Sequence, residues 1–310
     1  MEKQDQIVKL LKVTRMHIVL GGILAFTLGA LLGITAGGIF NPFTIVLCYL
    51  IVFFGDLSTH YSNDYFDANQ DRLVVRRKIF SGRKILVENP NLLPLARWFS
   101  LGYLIISISL AAVAVAFRAA PVELLIITVG ANFLGWFYSA PPLRLVSRGL
   151  GELALALAVG FAIPAVGYLS VVGSLEGVFA FFALPFLLYG FMLGLSLEAP
   201  DIEVDRKGNK KNIGVRMGER VVFGLILVSS VAAFAVFGFL YWLVTTTVVN
   251  FWVVTVFAAI PLAAGILGFT CVFRKKKTDT FGAVNVASLF VFNLVMILYL
   301  IFLIVYPDFL

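Results

Sequence analysis

Two groups of aspartates, each at the end of a long apolar stretch, carry the most reactive chemistry in this sequence. The first group lies in segment 63–71, which reads NDYFDANQD, and the second in segment 201–205, which reads DIEVD. Asp64, Asp67 and Asp71 are spaced i, i+3 and i+7. Asp201 and Asp205 are spaced i and i+4, so each group projects from one face of a helix. Opposed across a cavity, the two faces would form a polyanionic site.

Such a site needs cations. Carboxylates at the border of a membrane core are costly unless positive charge compensates them, and like charges this close repel one another. Hard oxygen ligands favour Mg²⁺, which in proteins usually arrives together with substrate phosphates. The two groups therefore predict a site that handles a diphosphate through Mg²⁺.

The composition predicts a membrane protein. Hydrophobic residues make up 61% and charged residues 13% of the 310 residues, and the mean hydropathy is +0.99. A soluble globular protein is far less apolar. Because about 20 residues are needed to cross the hydrocarbon core, the sequence predicts nine spans. Their predicted bounds are 18–39, 43–66, 98–117, 122–138, 150–171, 175–197, 221–242, 251–273 and 281–306.

The basic residues support this count and orient the chain. Cytoplasmic loops are enriched in Lys and Arg. With nine spans and a cytoplasmic N-terminus, all of the 24 Lys and Arg residues except Arg118 fall on the cytoplasmic side. The sequence therefore predicts a multi-pass protein of the cell membrane whose N-terminus and aspartate-bearing loops face the cytoplasm.

The formal net charge of +7 is explained by this topology and gives no indication of nucleic-acid binding. Basic residues in the N-terminal tail and in segment 274–277 predict contact with the anionic headgroups of membrane lipids. Those interleaved with the aspartates, in segments 72–78 and 206–211, are better candidates for holding phosphate oxygens.

The sequence resembles the UbiA superfamily of intramembrane prenyltransferases. Its hallmarks are an N-D-x-x-D-x-x-x-D motif after the second span and a D-x-x-x-D motif after the sixth, and both aspartate groups match in spacing and position. Further matches are the YSAPPLR turn at 138–144, the Gly-Glu pair at 151–152, and Gly208 with Lys210. The resemblance covers nearly the whole chain, so we expect residues 1–310 to form a single transmembrane prenyltransferase domain.

The resemblance implies a fold and an activity. The fold is an all-α membrane protein with nine transmembrane helices around a central cavity and an active site on the cytoplasmic side. The activity is Mg²⁺-dependent transfer of an isoprenyl chain from an allylic prenyl diphosphate to an aromatic, lipid-soluble quinone precursor, through a carbocation. Mn²⁺ is a possible substitute for Mg²⁺. The implied partners are this donor, this acceptor and membrane lipids.

The resemblance also implies roles for individual residues. Asp64, Asp67, Asp71, Asp201 and Asp205 are the implied catalytic residues, and together with Asn63 they are the implied metal ligands. The residues implied in binding the diphosphate donor are Arg15, Asn63, Arg76, Tyr138, Ser139, Arg144, Lys207 and Lys211.

Some positions depart from the family pattern or refine it. Met16 follows Arg15 where many members carry Pro. Segment 80–88, which reads FSGRKILVE, looks like the corresponding segment of naphthoate-type members. Glu198 and Asn212 stand where those members often carry Asn and Thr. The identity of the acceptor therefore stays open.

Two other functional classes can use membrane aspartates. A transporter or channel marks its ion path with carboxylates, but it places them near the bilayer midplane, often at broken helices. A lipid phosphotransferase also uses aspartates with Mg²⁺, and its product would carry a transferred phosphate instead of a prenyl chain. Asp56 lies within a predicted span, where it is either a further ligand or a hydrogen-bond partner of a neighbouring helix.

Overall fold

The computed structural model describes residues 9–10, 13–14, 16–72, 85–208, 210–244, 248–274 and 278–307. All regular secondary structure in these residues is helical. We label the nine long helices α1 to α9. They are α1 Met16–Thr35, α2 Pro42–Asp71, α3 Leu93–Ala116, α4 Val122–Ser139, α5 Gly151–Val172, α6 Val178–Glu198, α7 Glu219–Leu243, α8 Phe251–Phe273 and α9 Thr278–Val305.

The prediction of an all-helical membrane protein is confirmed. Within the described ranges, eight helices are long and apolar enough to cross a membrane, and the apolar part of α1, Val19–Thr35, is shorter. The predicted count of nine spans is therefore confirmed only approximately. A helix satisfies its own backbone hydrogen bonds and can therefore cross a bilayer. Since the chain has eight helices of sufficient length and apolar character in its described residues, it is a multi-pass membrane protein.

Two helices continue beyond the bounds predicted from hydropathy, and both carry aspartate motifs. Helix α2 begins at Pro42, where the side chain of Asn41 accepts hydrogen bonds from the first free N–H groups, and it ends only at Asp71. Helix α6 continues through a 3₁₀ turn, Ala199–Asp201, into the short helix Ile202–Lys207. Hydropathy locates the hydrocarbon border, whereas backbone hydrogen bonding carries each helix past it. Each motif therefore sits on helical backbone.

The helices form a closed arrangement. Helix α1 packs against α5 and α9, and the order of packing continues from α5 to α6, α7, α8 and α9. Helix α2 packs against α3, α4 and α5. Helix α5 therefore lies between α2 and α6, and the contacts of Lys210 described below join the ends of α2 and α6 at one end of the bundle.

Helix α5 is interrupted by a π-helical segment, Ala156–Ala162, which ends two residues before Pro164. Proline has no N–H to donate to the preceding turn, and its ring clashes with that turn, so a local widening of the helix follows. The widened segment packs against α6, where a Cβ on Gly190 would lie 2.7 Å from the Cα of Gly160. Glycine at these positions lets the two backbones touch.

Candidate active site

The two aspartate motifs meet at one end of the bundle. Lys210 places its Nζ 3.5 Å from Asp67 Oδ2 and 3.5 Å from Asp205 Oδ1. Gln70, also in the first motif, donates a hydrogen bond from Nε2 to the carbonyl oxygen of Gly208 at 3.0 Å. The end of α2 and the segment after α6 are thus joined by one cation and one hydrogen bond.

The chain reverses direction directly after the second motif, and this reversal positions Lys210. The short helix ends at Gly208, whose N–H donates to the Val204 carbonyl at 3.0 Å. The N–H of Lys210 then donates to the Asp205 carbonyl at 3.0 Å, so the lysine returns over the aspartate that precedes it.

Asn212 fixes the orientation of Asp205. Its Nδ2 donates to Asp205 Oδ2 at 2.8 Å, while its Oδ1 accepts a hydrogen bond from the Val215 N–H at 2.8 Å and caps the helix Ile213–Met217. Glu152 of α5 accepts a hydrogen bond from the Ile213 N–H at 2.8 Å. The second motif is therefore braced from α5.

The Lys210 ammonium is a buried cation among carboxylates, with only 14% of its side chain exposed. Burial alone would lower its pKa, but the attraction of Asp67, Asp205 and Asp71 outweighs burial and raises the pKa above the ordinary value. Lys210 is therefore protonated at neutral pH, and its charge offsets part of the charge of both motifs.

The remaining aspartates lie around this contact. Asp64 and Asp205 are buried. Asp67 is partly exposed and accepts a hydrogen bond from Ser139 Oγ at 3.0 Å, which brings the predicted residue Ser139 from the end of α4 into the site. Asp71, the last residue of α2, and Asp201, at the end of the 3₁₀ turn, are also partly exposed.

The donor set fits a hard divalent cation. The motif side chains offer carboxylate oxygens, and Asn63 adds an amide oxygen that is buried without a hydrogen-bond partner among the described residues. Among the residues that the structure describes, no three His, Cys, Asp or Glu side chains converge closely enough to hold a metal ion. Lys210 lies between Asp67 and Asp205 instead. Carboxylate and amide oxygens are the ligands that Mg²⁺ prefers.

Other residues expected to bind the donor lie farther from this contact. Tyr138 donates its hydroxyl to Glu198 Oε1 at 3.2 Å. Arg144 is exposed and has a left-handed backbone with φ of 44°. Lys207 and Lys211 are exposed, and no ion pair within the described ranges joins either to an aspartate. Arg15 and Arg76 lie outside the described residues.

Sequence reasoning placed Lys210 only among the matching positions and did not assign it to the site. The one signal was the place of Lys210 in the basic segment 206–211, because Gly208 has a φ of −81° that any residue adopts. The chain reversal after the second motif leaves Lys207 and Lys211 exposed on either side. Gln70 and Asn212 carry no comparable signal, since their partners are defined only by the packing of α2 against the second motif.

Two cavities lie within the bundle. The first, of about 100 Å³, is lined by α2, α4 and α5, and we call it the α2–α4 cavity. Asn63 and Tyr138 line it, so it reaches the aspartate motifs. The second, of about 130 Å³, is lined by α1, α5, α6 and α9, and we call it the α1–α6 cavity. Leu155 and Val159 line both cavities and lie between them.

Comparison with known proteins places the chain in a family. The sequence pattern described as the UbiA prenyltransferase family matches residues 23–294. A curated relative, 1,4-dihydroxy-2-naphthoate octaprenyltransferase of Bacillus subtilis (strain 168), is 23% identical over 128 residues. That match covers 41% of this chain and only 40% of the relative's length.

Solved structures share the fold. A UbiA homologue from Archaeoglobus fulgidus, bound to GPP and Mg²⁺, is similar with a TM-score of 0.64 and 18% identity, covering 93% of this chain and 99% of that one. A digeranylgeranylglyceryl phosphate synthase is similar with a TM-score of 0.63 and 17% identity, covering 97% and 98%. The matched pattern spans most of the chain, and the fold agrees with it along nearly the full length. The chain belongs to the UbiA prenyltransferase family.

Proposed function

We propose that this protein transfers an isoprenyl chain from an allylic prenyl diphosphate to an aromatic, lipid-soluble acceptor that is a quinone precursor. The observation that carries this proposal is the meeting of both aspartate motifs around Lys210, beside the apolar α2–α4 cavity that Asn63 lines. Family membership supports the reaction class. The naphthoate octaprenyltransferase relative supports an aromatic acceptor, although it matches over only part of its length.

The metal ligands in this proposal are the five aspartates with Asn63. The A. fulgidus homologue that binds GPP with Mg²⁺ has the same fold, which supports Mg²⁺ as the cofactor here, with Mn²⁺ as a substitute. When bound, Mg²⁺ supplies positive charge that favours departure of the diphosphate. Ser139 and Asn212 hold the carboxylates of Asp67 and Asp205 in fixed orientations, so little reorganisation is needed when the donor binds.

Lys210 contributes a fixed positive charge beside the leaving group. Its ammonium group already lies between the two motifs, so it can donate hydrogen bonds to diphosphate oxygens as negative charge develops there. We assign the outer contacts with the diphosphate to the basic residues that the family resemblance implies, which are Arg15, Arg76, Arg144, Lys207 and Lys211. Tyr138 lies beside the reacting end of the donor in this proposal.

Water must be excluded while the allylic carbocation exists, because water would trap it as a prenyl alcohol. The α2–α4 and α1–α6 cavities are lined mainly by apolar side chains. Their walls therefore supply a dry space for the isoprenyl chain and the acceptor. The basic loops at the aspartate end support a cell-membrane location with the site facing the cytoplasm.

The proposal is tested by incubating purified protein with Mg²⁺, prenyl diphosphates of several chain lengths and a panel of aromatic acceptors. Mass spectrometry of the products identifies the transferred group. We expect an acceptor carrying a complete prenyl chain and free diphosphate. An acceptor carrying phosphate would instead indicate a phosphotransferase, and the absence of any product with every pair would contradict the proposal.

A further inference from the structure

The α2–α4 cavity contains polar atoms that no described residue satisfies. Thr128 Oγ1 and Asn132 Oδ1 of α4 and Asn63 Oδ1 of α2 are all buried, all belong to residues lining the cavity, and none has a hydrogen-bond partner in the described part of the chain. Buried polar atoms are nearly always paired in folded proteins. Asn63 Oδ1 is already one of the proposed metal ligands, so the two orphaned atoms of α4 point to a second ligand in this cavity.

The orientation of the Asn132 amide follows from its neighbours. Ser107 of α3 donates its hydroxyl to the Ile51 carbonyl at 2.8 Å, so its oxygen is left to accept a hydrogen bond from Asn132 Nδ2 at 3.1 Å. The same Nδ2 donates to the Thr128 carbonyl at 2.9 Å. Both amide hydrogens are therefore used, and Oδ1 remains as a hydrogen-bond acceptor for the cavity.

Asp56 adds a carboxylate to the same wall. It lines the cavity halfway along α2, and its Oδ1 lies 3.2 Å from His60 Nε2, one turn further along the same helix. A Cβ on Gly22 would lie 3.9 Å from Asp56 Oδ2, so the carboxylate also faces α1. Among the described residues, no hydrogen bond or ion pair joins Asp56 to another helix, so Oδ2 is left to accept a hydrogen bond from a ligand. Ionisable groups at this depth in a membrane are usually functional.

Asp56 and the first aspartate motif are separated along one helix by a distance suited to a small aromatic molecule. Asp64 follows Asp56 by eight positions, which corresponds to roughly 12 Å at the rise of an α-helix. Asn63, seven residues from Asp56, lines the same cavity on nearly the same helix face. A donor diphosphate end and one aromatic ring together fill such a distance.

We propose that the α2–α4 cavity binds the acceptor, and that this acceptor carries hydroxyl groups and no carboxylate. Its hydroxyls donate hydrogen bonds to Asp56 and to Asn132 Oδ1, while Thr128 bonds the same polar edge. No Lys or Arg occurs among the described residues lining the cavity. A carboxylate on the ring would therefore face the Asp56 carboxylate with no Lys or Arg to pair with it. This inference rests on the prenyl transfer proposed above and names the substrate class of that site.

The experiment compares two acceptors that differ only in the group at issue, 1,4-dihydroxynaphthalene and 1,4-dihydroxy-2-naphthoate. Kinetics are measured in the wild type, in Asp56→Asn, and in Asn293→Ala as a control in the α1–α6 cavity. We expect kcat/KM of the wild type to be at least tenfold higher for the acceptor without a carboxylate. Asp56→Asn should reduce this ratio to near one, whereas Asn293→Ala should leave the ratio unchanged.

Equilibrium binding without donor or Mg²⁺ separates acceptor recognition from catalysis. We expect 1,4-dihydroxynaphthalene to bind the wild type about tenfold more tightly than its dimethoxy analogue, which cannot donate hydrogen bonds. Asp56→Asn should remove most of this difference in affinity. Thr128→Val, which removes one orphaned hydroxyl, should also reduce the difference and serves as the test if the Asp56 variant fails to fold.

The outcomes separate this inference from the proposed function. Prenyl transfer with equal or greater preference for the carboxylated acceptor would overturn the inference alone. A wild-type preference that persists unchanged in Asp56→Asn and Thr128→Val would also overturn it. Failure of the wild type to prenylate any aromatic acceptor would overturn the proposed function, and this inference with it.

Discussion

Gln70 donates a hydrogen bond to the carbonyl oxygen of Gly208, although the two residues lie 138 positions apart in the chain. This bond joins the last turn of α2 to the turn that follows the second aspartate motif. It sets the relative position of two groups of carboxylates that belong to different helices. The two motifs are thereby held as one site before any ligand binds.

Loss of that bond should weaken catalysis moderately. Gln70→Ala removes a neutral hydrogen bond, whose contribution is about 1 kcal/mol, so we expect kcat/KM to fall about three- to tenfold. The control is Asn69→Ala, because Asn69 is exposed on the same helical turn and should tolerate truncation. Equal effects of the two substitutions on kcat/KM would show that the bond does not position the motifs.

Lys210 should affect the leaving group more than it affects the fold. Lys210→Met keeps the length of the side chain and removes the charge, so we expect kcat to fall by about tenfold or more while helical content is retained. Arg206→Met is the matched control, since Arg206 is exposed in the same segment and pairs with the exposed Glu203. A Lys210 variant with wild-type kcat would remove this residue from the proposed mechanism.

Chelation should abolish transfer. Because the proposed ligands are carboxylate and amide oxygens, EDTA should reduce product formation to background, and added Mg²⁺ or Mn²⁺ should restore it. Product formation is measured before chelation, after chelation and after metal is returned. Undiminished turnover in excess chelator would show that the aspartates have a different role.

The close approach of α5 and α6 should be sensitive to a single methyl group. Gly190→Ala places a Cβ 2.7 Å from the Gly160 Cα, so we expect the free energy of unfolding to fall by about 1–3 kcal/mol. Gly102→Ala in α3 is the control, because a Cβ there meets no atom within 4 Å. Thermal unfolding in detergent compares the two variants, and similar midpoints would contradict the packing described here.

Much of the fold follows from local sequence properties. Hydropathy predicts the helices because apolar length alone decides which segments cross the membrane, and the spacing of Asp64, Asp67 and Asp71 predicts one helix face. The continuation of α2 to Asp71 was not visible in hydropathy, because the last turns are polar and are maintained by backbone hydrogen bonds. In the sequence, only Pro164 indicates the π-helical segment of α5.

The site could be predicted only in part, because much of it depends on contacts between distant segments. The aspartates have a recognisable spacing in the sequence. The free Oδ1 of Asn132, in contrast, depends on Ser107 of another helix, which donates its hydroxyl to the Ile51 carbonyl and accepts a hydrogen bond from Asn132 Nδ2. Asp56 was assigned two possible roles from its position in a span. Only packing shows that it lines a cavity shared with Asn63.

The central claim is that the two aspartate motifs form one site for a prenyl diphosphate. The most direct measurement is calorimetric titration of geranyl diphosphate into wild-type protein, Asp67→Ala and Asp201→Ala, each with Mg²⁺ and with EDTA. We predict Mg²⁺-dependent binding by the wild type and loss of that binding in each variant, since one motif alone cannot hold the metal and the diphosphate. Wild-type affinity in either variant, with the fold intact, would contradict the account.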